Sequence, residues 1–229
     1  MELMKPKPPE IMTELRQNIV RMPDVIRKAS GIVIFGKRIR SIIFSTDIAI
    51  IKNTNADAVI AVYPFTPHPA IMQSISMVAD IPVFSGVGGG LTSGRRSANI
   101  SLFAESLGSI GVVVNAPTSL ETIRVMNDII DIPIILTVVT AHQDLKPRLA
   151  AGIDIVNVSG GPQTPALVAQ IRQQYPKLPI IATGGKTDAD IENVIAAGAN
   201  AVTYTPPTNS ALFKTKMAQY REAARKHNN

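Results

Sequence analysis

Ile81-Pro82-Val83-Phe84 is a short apolar run that returns as Ile132-Pro133-Ile134-Ile135 and again as Leu178-Pro179-Ile180-Ile181, at intervals of 51 and 46 residues. Between these runs lies a second type, in which a short side chain leads into β-branched residues: Ala58-Val59-Ile60, Gly111-Val112-Val113, Asp154-Ile155-Val156 and Ala201-Val202-Thr203. Apolar stretches of this length without polar alternation describe strands covered on both faces, as in a parallel sheet wrapped by helices. Each run precedes a helix-like stretch. With a further run after Arg40, eight strands are placed near 41–45, 57–63, 82–86, 110–115, 133–138, 154–158, 179–183 and 201–205. Eight strand–helix units predict a closed (β/α)8 barrel, the TIM-barrel architecture.

The clearest helices are expected over Ser119–Ile130, Thr164–Tyr175, Asp188–Ala197 and Ser210–Lys226. Ser119 and Thr187 stand where N-caps belong, with Asp188 and Asp190 in the first turn after Thr187. Before the barrel, Ile11, Leu15, Ile19 and Ile26 recur near helical spacing. They predict an extra N-terminal helix from about Pro9 to Lys28 that caps the barrel bottom. The apolar stretch Gly31 to Phe35 reads equally as a strand or as a lead-in loop. At 229 residues the chain suits one barrel domain over 1–229, with 1–30 as its helical extension. That is somewhat below the roughly 250 residues typical of the fold.

A hydrophobic content of 45% with 17% charged residues fits a helix-wrapped parallel sheet better than a disordered or coiled-coil chain. No apolar run reaches the roughly 18 residues of a membrane span. The opening Met1-Glu2-Leu3-Met4-Lys5-Pro6 has no apolar signal core. No membrane association and a cytoplasmic location are therefore expected. Without cysteine there is neither a disulfide nor thiolate chemistry. Part of the net charge of +6 gathers on the last helix as Lys214, Lys216, Arg221, Arg225 and Lys226. Aromatics make up only 4% and no recognition motif appears, so the charge is assigned to a solvated helix face and no nucleic-acid partner is expected.

In this architecture chemistry sits on the loops that leave the C-terminal ends of the strands. Those loops are polar and glycine-rich here, whereas the opposite ones are short and plain. His68 and His142 fall in the second and fifth such loops, and Asp47 follows the first strand. An imidazole titrates near neutrality and moves protons, so Asp47 with His68 or His142 is the candidate acid–base set. Asp47 reads equally as a helix N-cap. No third residue at ligand spacing accompanies the histidines, and no metal site is expected. Asn115, Asn157, Thr137 and Thr183 end apolar strands as uncharged hydrogen-bonding groups, suited to hydroxyl or carbonyl oxygens of a substrate. Gly86-Val87-Gly88-Gly89-Gly90-Leu91-Thr92-Ser93-Gly94 follows the third strand and lacks both the P-loop ending and the dinucleotide spacing. It is read as a loop of close approach over the mouth, with Gly89 and Gly90 as substrate-binding candidates. The sixth strand carries no lysine for a Schiff base.

After the seventh strand, Thr183-Gly184-Gly185-Lys186 lets backbone N–H groups approach an anion beside a helix N-terminus. Over about residues 178–204 the chain resembles the phosphate-binding barrels that include N-acylmannosamine-phosphate epimerase, phosphoribosylanthranilate isomerase and the thiamine-phosphate synthases. Some flavin-linked barrels are similar here too. The resemblance implies phosphate binding at Gly184 and Gly185, with Lys186, Thr208 and Asn209 as helpers. The chain departs from the pattern after the eighth strand, where Pro206 and Pro207 remove two backbone donors.

Three functions follow as expectations. The first is an enzyme acting on a phosphorylated small molecule by isomerase- or epimerase-type proton transfer, with no cofactor required. The second is a barrel that senses such a metabolite without chemistry. The third is an oxidoreductase with FMN as cofactor, or a hydrolase, on the same fold. Barrels of this length often bury an outer helix face, and the expected N-terminal helix offers one for a homo-oligomer.

Overall fold

The computed structural model describes residues 9–14 and 16–227. Eight strands close a barrel: β3 (Ser41–Phe44), β4 (Ala58–Ala61), β5 (Val83–Gly88), β6 (Gly111–Val114), β7 (Ile134–Val138), β8 (Ile155–Val158), β9 (Ile180–Thr183) and β10 (Ala201–Tyr204). They run in sequential order, all parallel, and β10 pairs with β3 to complete the ring. The strands expected from the apolar runs are the strands found, within a few residues. A small antiparallel hairpin precedes them, β1 (Ile32–Ile34) and β2 (Lys37–Ile39).

Side chains alternate across each barrel strand, so one apolar set faces inward and the other meets the helices. Ile42, Ile60, Phe84, Val113, Ile135, Ile155 and Ile181 form the interior cluster. Ile43, Val59, Val112, Val156 and Val202 join the outer layer under the helices. Those helices are α1 (Ile48–Lys52), α2 (Pro69–Val78), α3 (Gly94–Ser106), α4 (Leu120–Asn127), α5 (Lys146–Ala150), α6 (Thr164–Gln174), α7 (Asp188–Ala196) and α8 (Asn209–His227). None of them is long and apolar enough to cross a membrane.

The extra N-terminal helix expected over Pro9–Lys28 is corrected to one short 3-10 helix at Asp24–Lys28. Residues 9–14 and 16–23 form turns and coil, with an isolated bridge from Val20 to Thr54, and Leu15 lies outside the described residues. Pro23 gives the physical reason, because it donates no hydrogen bond and disfavours helical backbone at Met22 before it. Val25 and Ile26 of the 3-10 turn add to the outer layer, and Lys28 pairs with Glu192 of α7.

The hairpin takes the capping role instead. Ile32, Ile34 and Ile39 are buried in the interior cluster, while Val33 of the opposite face is exposed. Phe35 and Gly36 make its two-residue turn with φ of 47° and 79°, which suits the twist of a tight hairpin. The Gly31 N–H donates to the Asn200 carbonyl at 2.8 Å, just before β10, and ties the plug to the bottom of the barrel. On that same face the Arg172 guanidinium donates to the carbonyls of Leu178 and Gly198 and to Asn200 Oδ1.

Helix α8 differs from the other seven. From Asn209 to Lys226 its side chains are exposed, with only Met217 half-buried, and its cations lie in solvent.

Candidate active site at the barrel mouth

Strand parity builds the floor of the mouth. Thr137, Asn157, Thr183 and Thr203 stand two residues beyond the inward-facing Ile135, Ile155, Ile181 and Ala201, so they also face the barrel axis. Asn115 follows β6 in the same phase, two residues beyond Val113. Thr137 pairs in register with Asn157, and Thr183 with Thr203. The opposite arc, from β3 to β5, presents Phe44, Val62 and Gly86 in the corresponding places. The floor is thus half polar and half apolar, and its polar half carries no charge. Asn157 and Thr203 are 8% and 5% exposed, and Asn157 Oδ1 and Thr203 Oγ1 have no hydrogen-bond partner among the described residues. Buried polar atoms are nearly always paired, so two orphans on one floor require an explanation. Asn115, Thr137, Asn157 and Thr183 were expected here. Thr203 was missed, although its place at the end of the last apolar run repeats that of Thr183.

Over the apolar side of this floor, at Val62 and Gly86, the loop after β5 shapes a cavity of about 160 Å³, lined also by Tyr63, Phe65, Gly90, Thr92 and Asn115, while Asn157 and Thr203 lie outside its lining. Gly89 turns at φ 101° and presses on the loop after β6, where a Cβ would lie 2.0 Å from Thr118 Oγ1. Only glycine fits there. Gly90 meets nothing within 4 Å and faces the cavity. The two glycines therefore divide their tasks, Gly89 packing and Gly90 leaving space.

The seventh loop borders a second cavity, of about 600 Å³, lined by Thr183, Gly184, Gly185, Lys186, Thr187 and Asp190 on one side and Gly161 and Pro162 on the other. Three of its four backbone donors from Gly184 to Thr187 are already engaged, and the Gly185 N–H meets no acceptor among the described residues. The Gly184 N–H donates to the Thr203 carbonyl at 3.0 Å. The N–H groups of Lys186 and Thr187 both donate to Asp190 Oδ2, at 3.1 and 3.0 Å. Thr187 Oγ1 in turn accepts from the Asp190 N–H, which closes a capping box at the start of α7. The Asp190 carboxyl is held below its ordinary range by the Thr187 side chain first and then by the Thr187 and Lys186 backbone bonds. This nest thus holds the protein's own anion. Both glycines are also needed for packing, since a Cβ on Gly184 would lie 2.5 Å from Val202 Cγ1 and one on Gly185 2.5 Å from Asp190 Cβ. Thr208 caps α8 by accepting from the Ala211 N–H at 3.2 Å, and Asn209 is the first residue of that helix. Neither lines the cavity beside Gly184 and Gly185.

The acid–base candidates are placed on the rim. Asp47 caps α1, its Oδ1 accepting from the N–H groups of Ala49 and Ile50 at 2.9 and 3.3 Å. His68 is exposed and caps α2, its Nδ1 accepting from the Ala70 N–H at 3.2 Å, so the ring proton sits on Nε2. It lines an outer groove between α2 and α3 with Arg96, Asn99 and Phe103. His142 is exposed in the fifth loop. Neither Asp47 nor His142 lines the mouth cavity, the outer groove or the cavity beside Gly184. Among the described residues no three His, Asp or Glu side chains gather to hold a metal ion.

No protein-family model matches the sequence, and no curated protein matches it either. Solved structures do resemble the fold. Phosphonopyruvate hydrolase, in its complex with oxalate and Mg++, superposes with a TM-score of 0.60 at 15% identity, over 86% of this chain and 84% of that one. Phosphoenolpyruvate phosphomutase from Streptomyces platensis subsp. rosaceus gives 0.57 at 16% identity, over 82% and 83%. Mandelate oxidase gives 0.59 at 15% identity, over 77% and 68%. At these identities the likeness is one of architecture, and what this chain shares with all three is the closed (β/α)8 barrel.

Proposed function

We propose that the protein is an enzyme that takes a phosphorylated, hydroxyl-bearing small molecule into the barrel mouth and moves a proton on it, as an isomerase or epimerase does. One observation carries the binding part: Asn157 Oδ1 and Thr203 Oγ1 are buried on the polar floor without partners. A ligand rich in hydroxyl or carbonyl oxygens supplies the missing bonds, with Thr183 and Asn115 beside them. The phosphorylated class is supported by the likeness to enzymes whose names refer to phosphonopyruvate and phosphoenolpyruvate. In this reading Asp47, with His68 or His142, moves the proton from the rim, outside the lining of the mouth cavity. Asp47 keeps Oδ2 and His68 keeps Nε2 beyond their caps.

A second reading, a barrel that binds the metabolite without chemistry, is favoured by the same caps. Asp47 and His68 have structural duties at the starts of α1 and α2, away from the floor. The test has two stages. A thermal-shift screen against sugar phosphates, phosphorylated carboxylic acids and inorganic phosphate identifies a ligand, because binding to the folded state raises stability. Incubation of that ligand in D2O, followed by NMR, then reads proton exchange at carbon. Exchange supports the enzyme; binding without exchange supports the sensor; a screen with no hit rejects both. An FMN-linked enzyme would show the cofactor's own absorbance band at about 450 nm on purification.

A further inference from the structure

We infer that the phosphate of the ligand is held at the third strand-to-helix loop, by the backbone around Gly88–Thr92 and the open start of α3, and not at Gly184–Gly185. The inference rests on the reading above that the ligand is phosphorylated, and it locates that group.

The argument compares two helix starts in one molecule. A helix N-terminus carries partial positive charge and unpaired N–H groups, which makes it an anion site when nothing else fills it. At α7 an anion is already in place: Thr187 and Asp190 form a capping box, Asp188 and Asp190 stand in the first turn, and the Asp190 carboxylate takes the Lys186 and Thr187 amides, so that carboxylates already face the N–H groups of Gly185, Asp188 and Ala189, which meet no acceptor among the described residues. An incoming phosphate would meet a carboxylate already on its donors. At α3 the start is open. Ser93 makes no side-chain cap and the first turn holds no acid. Gly94 donates to Thr122 Oγ1 at 2.9 Å, while the N–H groups of Arg95 and Arg96 meet no acceptor among the described residues. The Arg95 and Arg96 side chains are exposed and pair with no carboxylate among the described residues, so their charge favours an anion at the rim.

The observation that points to a ligand is Thr92. It lines the mouth cavity, is 2% exposed, and its Oγ1 has no partner among the described residues. Ser97, 0% exposed and one turn into α3, is unpartnered as well. A hydroxyl left unpaired beside glycine backbone and an uncapped helix start is a donor waiting for an acceptor. Gly90 leaves the space open, for a Cβ there would touch nothing within 4 Å. Asn115 lines the same cavity, so a ligand whose phosphate sits at this loop meets the polar floor first at Asn115.

The experiment measures binding of inorganic phosphate, glycerol 3-phosphate and ribose 5-phosphate by calorimetry and thermal shift, with chloride at matched ionic strength as the control. The variants are Gly90→Asp, which places a carboxylate in the open space at a tolerant backbone position, Arg95→Ala combined with Arg96→Ala, and Lys186→Ala. At least one probe is expected to stabilise the native protein in a saturable way. Gly90→Asp and the double arginine variant are each expected to weaken it at least tenfold, while Lys186→Ala leaves it unchanged. Binding that survives both third-loop changes, or that is lost in Lys186→Ala, overturns the inference and leaves the phosphometabolite reading in place. If none of the probes binds the native protein, that reading falls and the inference with it.

Discussion

Replacing Thr203 with valine should make the protein more stable and bind its ligand less well. Thr203 is 5% exposed on the mouth floor, between Thr183 and Ile42 of the neighbouring strands, and its Oγ1 is unpaired among the described residues. Leaving a buried hydroxyl without a partner costs about 1–3 kcal/mol. Valine keeps the branched shape and places a methyl group where the hydroxyl was. The expected gain is therefore about 2 kcal/mol, which for a domain of this size raises Tm by about 4–8 °C. Urea unfolding read by circular dichroism checks the magnitude, and an unchanged m-value shows that the unfolded state was not altered. Ligand binding should weaken by about tenfold, the equivalent of 1.4 kcal/mol. The sign is diagnostic because most substitutions destabilise by about 1 kcal/mol. A loss of 1 kcal/mol or more would refute the reasoning, since it would mean that the hydroxyl is satisfied and the floor holds no unpaired groups for a ligand.

Ile39→Ala should cost about 3 kcal/mol by opening a cavity in the barrel plug, whereas Val33→Ala on the exposed face of the same hairpin should stay within about 0.5 kcal/mol; equal effects in chemical denaturation would refute the plug. Asp47→Ala should cost about 1 kcal/mol as a lost cap, and a further fall of about 10²–10⁴ in turnover of the identified substrate would show that Asp47 also moves the proton. Asp190 has its folded-state pKa depressed, so it stabilises above its unfolded value of about 4 and that contribution is lost as pH falls toward the lower folded value. Asp190→Asn should therefore flatten Tm against pH below about pH 4, and an unchanged acid limb would contradict the nest described at α7. Phe213 and Tyr220 are 67% and 57% exposed on α8, so sedimentation should reveal a homo-oligomer that Phe213→Asp weakens; a monomer at all concentrations would refute this.

The barrel was legible because its signal is local. Eight runs of β-branched residues say that each strand is covered on both faces, and nothing distant is needed to read them. Asn115, Asn157 and Thr183 were legible for a related reason, because parity along a strand carries an inward direction from an isoleucine to the residue two places on. The plug was only half legible. Gly31 to Phe35 had the composition of a strand, but a three-residue hairpin strand is too short to show its period. The N-terminal helix was misread because four apolar residues at helical spacing outweighed Pro23, and one missing donor at the start of a short turn was enough to confine it.

The glycine loops separate what the chain alone determines from what the fold decides. That Gly184–Gly185 and Gly88–Gly90 are turns beside helix starts follows from residue type, since glycine admits the positive φ that such turns use. Even the capping box at Thr187 and Asp190 is a short-range pattern. Which helix start remains open depends on partners brought from elsewhere in the chain: Val202 beneath Gly184, Thr203 taking the Gly184 N–H, and Thr122 of α4 taking Gly94 but neither Arg95 nor Arg96. A donor's availability is the balance left after every neighbour in space has taken its share. Sequence order does not carry that balance, and the closed barrel does.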